Sequence, residues 1–440
     1  MSKTKYSPSH FKEHTQGRSI QKMSLPAEVV LPLLQHTGAP CQAKVSLKDK
    51  VKTGQLIADS EKYISAPIHA SVCGEVKAIE KRPHPVLGEY QAIVISSDGQ
   101  DSPDAAIKER ESPDFLSADA IRRIVRNCGI VGLGGAAFPA HVKLNPPQEK
   151  KIDTFILNAA ECEPYLTADH RLMLERPQEI LGGMKIVMKT LGVTSGIVAI
   201  EDNKPDVIRI YKELVDGKSI KAVSLKSFYP QGAEKQMIKT ILGREVPPGG
   251  LPFDVGVVVN NVATCLAIYE AVYMNKPLYE RVITIAGTIV KNPANLLVRI
   301  GTKIGDIIEF CGGLTEEPAK IILGGPMMGI AQYSLDAPVI KGTSGIIVFS
   351  KKETAPRPSH PCIRCGRCIQ VCPMGLNPSQ IAKAIEKGRF DLAEEYNVMD
   401  CVECGACSYI CPGNSNIVSL VKLAKHIIKT GSGANRRTVP

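Results

Sequence analysis

Tryptophan is absent from the 440 residues, and Phe, Tyr and Trp together make up only 5% of them. No stripe of Lys and Arg interleaved with aromatics occurs, which excludes the stacking grooves of single-strand nucleic-acid binders. Long apolar runs are missing too: the best candidate, "VGVVVNNVATCLAIYEAVYM", is broken by Asn260, Asn261 and Glu270, so no membrane span of about 18 apolar residues is expected. "MSKTKYSPSHFKEHTQGRSIQK" at the amino end has no apolar core of signal-peptide length, and a location on the cytoplasmic side of any membrane is expected.

What is present is ordinary globular material, 44% apolar, long enough for two to four domains. The net charge of +10 suits an acidic partner, anionic head groups or bound phosphates. Of 14 cysteines, eight crowd into two short runs near the carboxyl end. Without a secretory signal those eight read as metal ligands, and the scattered Cys41, Cys73, Cys128, Cys162, Cys265 and Cys311 as small core residues.

Both runs, "CIRCGRCIQVCP" and "CVECGACSYICP", have the spacing C-x2-C-x2-C-x3-C-P. Three closely spaced thiolates wrap one [4Fe–4S] cube and the fourth reaches across to the other. Cys362, Cys365, Cys368 and Cys411 are thus expected to hold one cluster, and Cys401, Cys404, Cys407 and Cys372 the second. Zinc ribbons pair two C-x2-C knuckles and leave no role for the third cysteine or the proline. A Rieske centre needs two histidines, and His360 stands alone in the linker.

Residues 23–100 read as short β-branched strands punctuated by Gly54, Pro67 and Gly74, two halves that resemble the folded-over carrier domains for lipoyl and biotinyl groups. Lys62 is the nearest candidate for a carrier lysine, but its neighbours match neither attachment motif. "SPDAAIKERESPDF" reads as a charged linker. From Ser117, an expected N-cap, Ile121, Ile124, Val125 and Cys128 share one helical face.

A helix therefore precedes "GLGGAAFPAHVKL". A Rossmann fingerprint needs a strand there, so the match of Gly132, Gly134 and Ala137 to G-x-G-x-x-A does not make this a Rossmann loop. Strand and helix patterns then alternate through "DTFILNAAE", "PQEILGGMKIVMKTLG", "SGIVAIED" and "GAEKQMIKTILG", the mark of an α/β layer structure. Residues 281–314 give two strands, an Asn-Pro turn and a short helix, a β-grasp-like module. "TAPRPSHP" marks the boundary to the cysteine-rich part, whose runs are joined by two helical patterns broken at Gly388.

"GLGGAAFPAHVKL", "NAAECEP", "YPQGAEK" and "VNNVATC", in this order, resemble the flavin- and NADH-binding subunit of respiratory complex I. The complete order is similar to the family of C subunits of Rnf electron-transport complexes, over roughly residues 25 to 420. The resemblance implies a multidomain α/β protein: a barrel-sandwich domain over 23–100, an FMN/NADH-binding domain of complex I type over 115–275, a β-grasp module over 280–330, an α-helical ferredoxin-like dicluster domain over 355–420, and a basic tail over 421–440.

It also implies roles. Gly132, Gly134 and Gly135 let the backbone approach the nucleotides, Phe138 stacks against NAD, and Lys143 neutralises the flavin phosphate. Asn158 lies against the isoalloxazine, Glu161 and Glu163 near the NAD end, and Tyr229, Gly232, Glu234, Asn260, Asn261 and Thr264 around the flavin. No residue is expected to act as an acid or base, since hydride passes between cofactors. Departures from the family pattern are Ala137 for a third glycine, and Ala160 and Ala233 for acids.

The implied function is electron transfer between NAD(H), FMN and two [4Fe–4S] clusters, within ferredoxin:NAD oxidoreduction coupled to Na⁺ or H⁺ translocation. The implied partners are the other Rnf subunits, with ferredoxin reached indirectly and the chain peripheral to the cytoplasmic membrane face; Lys422, Lys425, Lys429, Arg436 and Arg437 are candidates for an anionic surface. Two alternatives stay open: a soluble NADH-dependent cobalamin reductase of similar architecture, and a relay or scaffold subunit that has lost its nucleotide site.

Overall fold

The computed structural model describes residues 6–354 and 358–431. Glu28–Pro32, Gly88–Ser97, Gly74–His84 and Lys50–Val51 form one antiparallel sheet in that order, and Gln42–Ala43, Leu56–Asp59 and Ile68–His69 form a second. Val29, Leu31, Ile93 and Ile95 of the first share a core with Ile57 and Ile68 of the second. Alternation along each strand produces this sandwich, because successive side chains leave opposite faces. Lys62 is exposed on the connecting hairpin.

The segment expected as a linker is instead strapped down. Asp104 N donates to Thr53 O at 2.8 Å, while Arg110 Nε donates to Val272 O at 2.9 Å and Nη2 to Asn275 Oδ1 at 2.8 Å. Its charges look solvated in the sequence because their partners lie over 150 residues away; Arg110 meets the carboxyl end of helix Val262–Met274, where a cation is favoured.

Next comes a four-stranded parallel sheet ordered Ile220–Leu225, Ser195–Glu201, Thr154–Ala159, Val257–Asn261. Phe155, Leu157, Val198 and Val258 face helices Pro177–Leu191 and Val262–Met274, whereas Ile156, Ala199, Val257 and Val259 face helix Glu234–Leu242. Both faces are covered, which is why these strands are almost continuously apolar. Gly183 lets the first two helices touch: a Cβ there would strike the Cys265 carbonyl.

A six-stranded sheet follows, ordered Ile20–Lys22, Ala294–Arg299, Glu280–Ala286, Gly345–Phe349, Lys320–Leu323, Ile330–Gln332. The sheet that holds the β-grasp strands thus continues past residue 330. Gly345–Phe349 inserts beside Glu280–Ala286 in parallel, and Ile20–Lys22 adds an edge strand from the amino end. Local pattern reveals a strand but not its non-local partner.

Helices Pro378–Glu386, Phe390–Glu395 and Ile417–Thr430 build the carboxyl-terminal domain around Ile381, Ile385, Ala393, Val398, Val421 and Ala424. Residues 421–430, expected to begin a basic tail, continue that last helix because Val421 and Ala424 sit one turn apart on its buried face. Lys425 is not free for an anionic surface: it donates to Cys401 O at 2.5 Å and Glu403 Oε1 at 2.8 Å. Lys422 and Lys429 are exposed, and Arg436 and Arg437 lie outside the described residues. Among the described residues no helix is long and apolar enough to cross a membrane.

Candidate flavin and cluster sites

Ser117 Oγ accepts from Ala120 N and starts helix Ala118–Asn127, which delivers the chain to the glycine loop. Gly132 N donates to Phe138 O at 2.9 Å and closes the loop, leaving Gly134, Gly135 and Ala136 exposed and Phe138 half-buried. Leu133 N donates to Thr264 Oγ1 at 2.9 Å. Thr264 is thereby spent on holding the loop. A Cβ on Gly134 would lie 2.8 Å from the Asn261 side chain, so only glycine fits.

The loop lies at the carboxyl ends of the parallel strands, where open α/β sheets bind ligands. Asn261 caps helix Val262–Met274 through Ala263 N and donates to Asp169 Oδ2 at 2.6 Å. Asn158 joins two neighbouring turns, donating to Gly232 O at 2.9 Å and accepting from Ala160 N at 3.1 Å. Gly232 is obligatory: a Cβ would sit 2.9 Å from Ala160 O. Lys143 and Glu234 pair at 2.5 Å across the same mouth. Ala233 offers no side-chain cap to helix Glu234–Leu242, so its first N–H groups lack a local acceptor.

Glu161 and Glu163 part company. Glu161 is buried, accepting from Asp169 N at 2.9 Å and His170 N at 3.3 Å, with Lys12 Nζ at 3.9 Å. It caps helix Ala168–Glu175. Glu163 accepts from Met327 N at 3.0 Å and lies 3.4 Å from Tyr229 Oη, and burial pushes its carboxyl up to about 7.

Among the described residues, two buried amides beside the glycine loop and its neighbouring turn have atoms without a hydrogen-bond partner: Asn260 Nδ2, and both Nε2 and Oε1 of Gln231. Orphans of this kind are costly unless a ligand satisfies them. They fit a flavin, whose ring system carries both donors and acceptors. Gln231 was not singled out in the sequence; a polar residue between Pro230 and Gly232 was the only signal. Asp169 was also missed, for it lies on a helix outside every glycine-rich motif.

Burial first, then the Glu161 charge, pushes the Asp169 carboxyl up to about 7, against the pull of the Asn261 bond. An ordinary carboxyl titrates near about 4. Between those values the folded chain holds a proton that the unfolded chain releases, so this contribution to stability is present at low pH and lost as pH rises toward 7. Asp169→Asn is expected to raise the urea midpoint at pH 7.5 relative to that at pH 5, compared with the same difference in the unaltered chain. An unchanged difference would contradict this assignment.

In the carboxyl-terminal domain Cys372, Cys401, Cys404 and Cys407 line one cavity, with Ile381 and Val421 among its apolar walls and about 410 Å³ of empty space including its mouth. Three thiols come from the second run and one from the first. That is the crossed set expected from the spacing, and four thiols around one apolar cavity fit a cube. His360 N donates to Gly413 O at 2.9 Å, bringing the start of the first run to the end of the second, as Cys362 and Cys411 require. Cys362 and Cys365 are exposed, and Cys368 and Cys411 half-buried.

The two sites are joined. Tyr229 Oη donates to Cys404 O at 2.6 Å, and Gln236 Nε2 donates to Pro373 O at 3.1 Å. Tyr229, Cys404 and Ala406 pack together with Cys162, Met327 and Val371. Of the scattered cysteines, five are buried, and only Cys162 is half-exposed, beside this junction.

A glycine loop at the carboxyl ends of a parallel sheet, beside a turn whose Tyr229 is bonded to a thiol-lined cavity, defines a flavin and iron–sulfur electron-transfer protein. Family models agree: the Nuo51 FMN-binding domain matches residues 125–270, the RnfC barrel sandwich hybrid domain 5–100, the SLBB domain 282–331 and the 4Fe-4S dicluster domain 357–412. FMN and two [4Fe–4S] clusters are its cofactors. The chain is 51% identical over 419 residues to the C subunit of the proton-translocating ferredoxin:NAD(+) oxidoreductase complex of Clostridium ljungdahlii, covering 95% of this chain and 92% of that protein. It is 46% identical to the Na(+)-translocating counterpart of Acetobacterium woodii, covering 96% and 95%. With the C subunit of the ion-translocating oxidoreductase complex of Rhodobacter capsulatus identity is 43%, covering 95% and 81%. The chain belongs to the family of C subunits of ion-translocating ferredoxin:NAD(+) oxidoreductase complexes.

An NAD⁺-reducing [NiFe]-hydrogenase in its H2-reduced state has a similar fold, with a TM-score of 0.50 at 18% identity over 76% of this chain. The match spans 64% of that chain.

Proposed function

We propose that this chain is the peripheral NAD(H)-reactive subunit of an Rnf complex, docked on the cytoplasmic face against the other Rnf subunits, through which ferredoxin is reached. Bound FMN supplies the exchange between hydride and single electrons, and the clusters carry the single electrons. The chain itself binds, orients and spaces them.

Lys143, with Glu234 as its counter-ion, is the phosphate partner, and the amides of Asn260 and Gln231 are the groups that orient the ring. Tyr229, in the turn that carries Gly232, donates to Cys404 O and so bonds the turn at the nucleotide mouth directly to a cluster cavity. That link carries the reading: the cluster of Cys372, Cys401, Cys404 and Cys407 stands next to the flavin, and the cluster of Cys362, Cys365, Cys368 and Cys411 faces outward, toward partner subunits.

Anaerobic protein loaded with FMN, iron and sulfide is expected to bleach at the flavin band on NADH addition and to develop reduced-cluster EPR signals. Clusters that form while NADH changes neither signal, with FMN bound, would sink the NAD-reactive reading.

A further inference from the structure

The glycine loop is held from outside its own domain. Thr37, in the turn after strand Glu28–Pro32 of the barrel-sandwich domain, donates through Oγ1 to Ala136 O at 2.6 Å and through its backbone N to Ala137 O at 3.3 Å. Ala137 has φ 52°, a left-handed conformation that a Cβ disfavours. Its own Cβ lies 3.3 Å from where a side chain on Gly342 would begin, so there is little room behind it. From the opposite side Arg281 of the β-grasp module donates to Leu133 O at 3.3 Å and to Lys341 O. The exposed stretch Gly134–Ala136 is suspended between these anchors.

The barrel-sandwich tip is equally fixed. Arg126 grips Asp59 at 2.9 Å, His141 lies 3.1 Å from Tyr63 O, and Asn145 donates to Tyr63 Oη at 2.9 Å. A hairpin docked on both sides of Lys62 is no swinging arm.

We infer that Thr37 is a positioning residue for NAD(H): its two hydrogen bonds keep Ala136 and Ala137 in the left-handed turn that presents Gly134–Ala136 to the dinucleotide. The barrel-sandwich domain is then part of the nucleotide site. This rests on the loop binding nucleotide, as proposed above.

Thr37 is exposed, so its substitution leaves the core alone, whereas Arg281 is buried and its removal threatens folding. In the full chain carrying FMN and both clusters, Thr37→Val keeps the bulk and the N–H but loses the hydroxyl. The NADH concentration for half-maximal flavin reduction is expected to rise about fivefold, the scale of one net hydrogen bond, with the limiting rate changed less than about twofold. FMN content and cluster EPR should not move. Thr37→Ser should restore wild-type behaviour. Ala137→Gly added to Thr37→Val should recover most of the loss, since glycine takes a positive φ unaided.

An unchanged NADH dependence in Thr37→Val, or failure of Thr37→Ser to restore it, overturns this inference alone when the wild type is bleached by NADH. A wild type that binds FMN yet is not bleached overturns the nucleotide reading and this inference together.

Discussion

Cys372→Ala is expected to halve the iron content and to remove the cluster held by Cys401, Cys404 and Cys407, the run it does not belong to in sequence. The reason is the shared cavity, in which its thiol stands with those three. With three ligands left a cube is open at one corner and is lost on purification, so iron should fall from about eight to about four per chain. Flavin bleaching by NADH should persist, because the mouth at Lys143 and the glycine loop lies outside the cavity. The cluster of Cys362, Cys365, Cys368 and Cys411 should stay oxidised, cut off from the flavin. EPR after NADH addition, with iron determination, checks this; loss of the outward cluster in its place would overturn the crossed ligand set.

Gly134→Val is expected to abolish FMN binding and to destabilise the chain by about 2–4 kcal/mol, combining overpacking with broken hydrogen bonds. Its added carbons would enter the space of the Asn261 side chain, 2.8 Å from even a bare Cβ. Asn261 could then no longer cap Ala263 and donate to Asp169 together. A buried carboxyl would lose its donor, and the helix beneath the flavin its cap. Retained FMN at wild-type stoichiometry, with an unaltered urea midpoint, would mean that the loop yields where the packing says it cannot.

Much of this was legible along the chain. The cysteine spacing predicts a crossed ligand set, because a run of seven residues can wrap only one cube, and Cys372 does line one cavity with Cys401, Cys404 and Cys407. Ser117 announced its helix and thereby excluded a Rossmann turn, since capping is a local hydrogen bond. The apolar runs at 154–159 and 257–261 became strands covered on both faces. Asn158, Thr264 and Glu161 are expected from the motifs to touch cofactors, but their side chains hydrogen-bond within the protein: two join loops and one caps a helix. A motif gives the position of a polar group without saying whether a ligand or the backbone satisfies it.

Sequence by itself determined the cluster type through its cysteine spacing, and the order of domains through the motifs that carry the family resemblance. Tertiary structure alone decided that Tyr229 meets the cavity of Cys372, Cys401, Cys404 and Cys407, that residues 102–115 are a strap, that a strand at 345–349 completes the β-grasp sheet, and that Thr37 reaches the glycine loop. Those depend on contacts between residues about 100 or more apart, or on strand pairings whose partners no local pattern specifies. Burial and hydrogen bonding between distant segments fix them only when the whole chain has closed on itself.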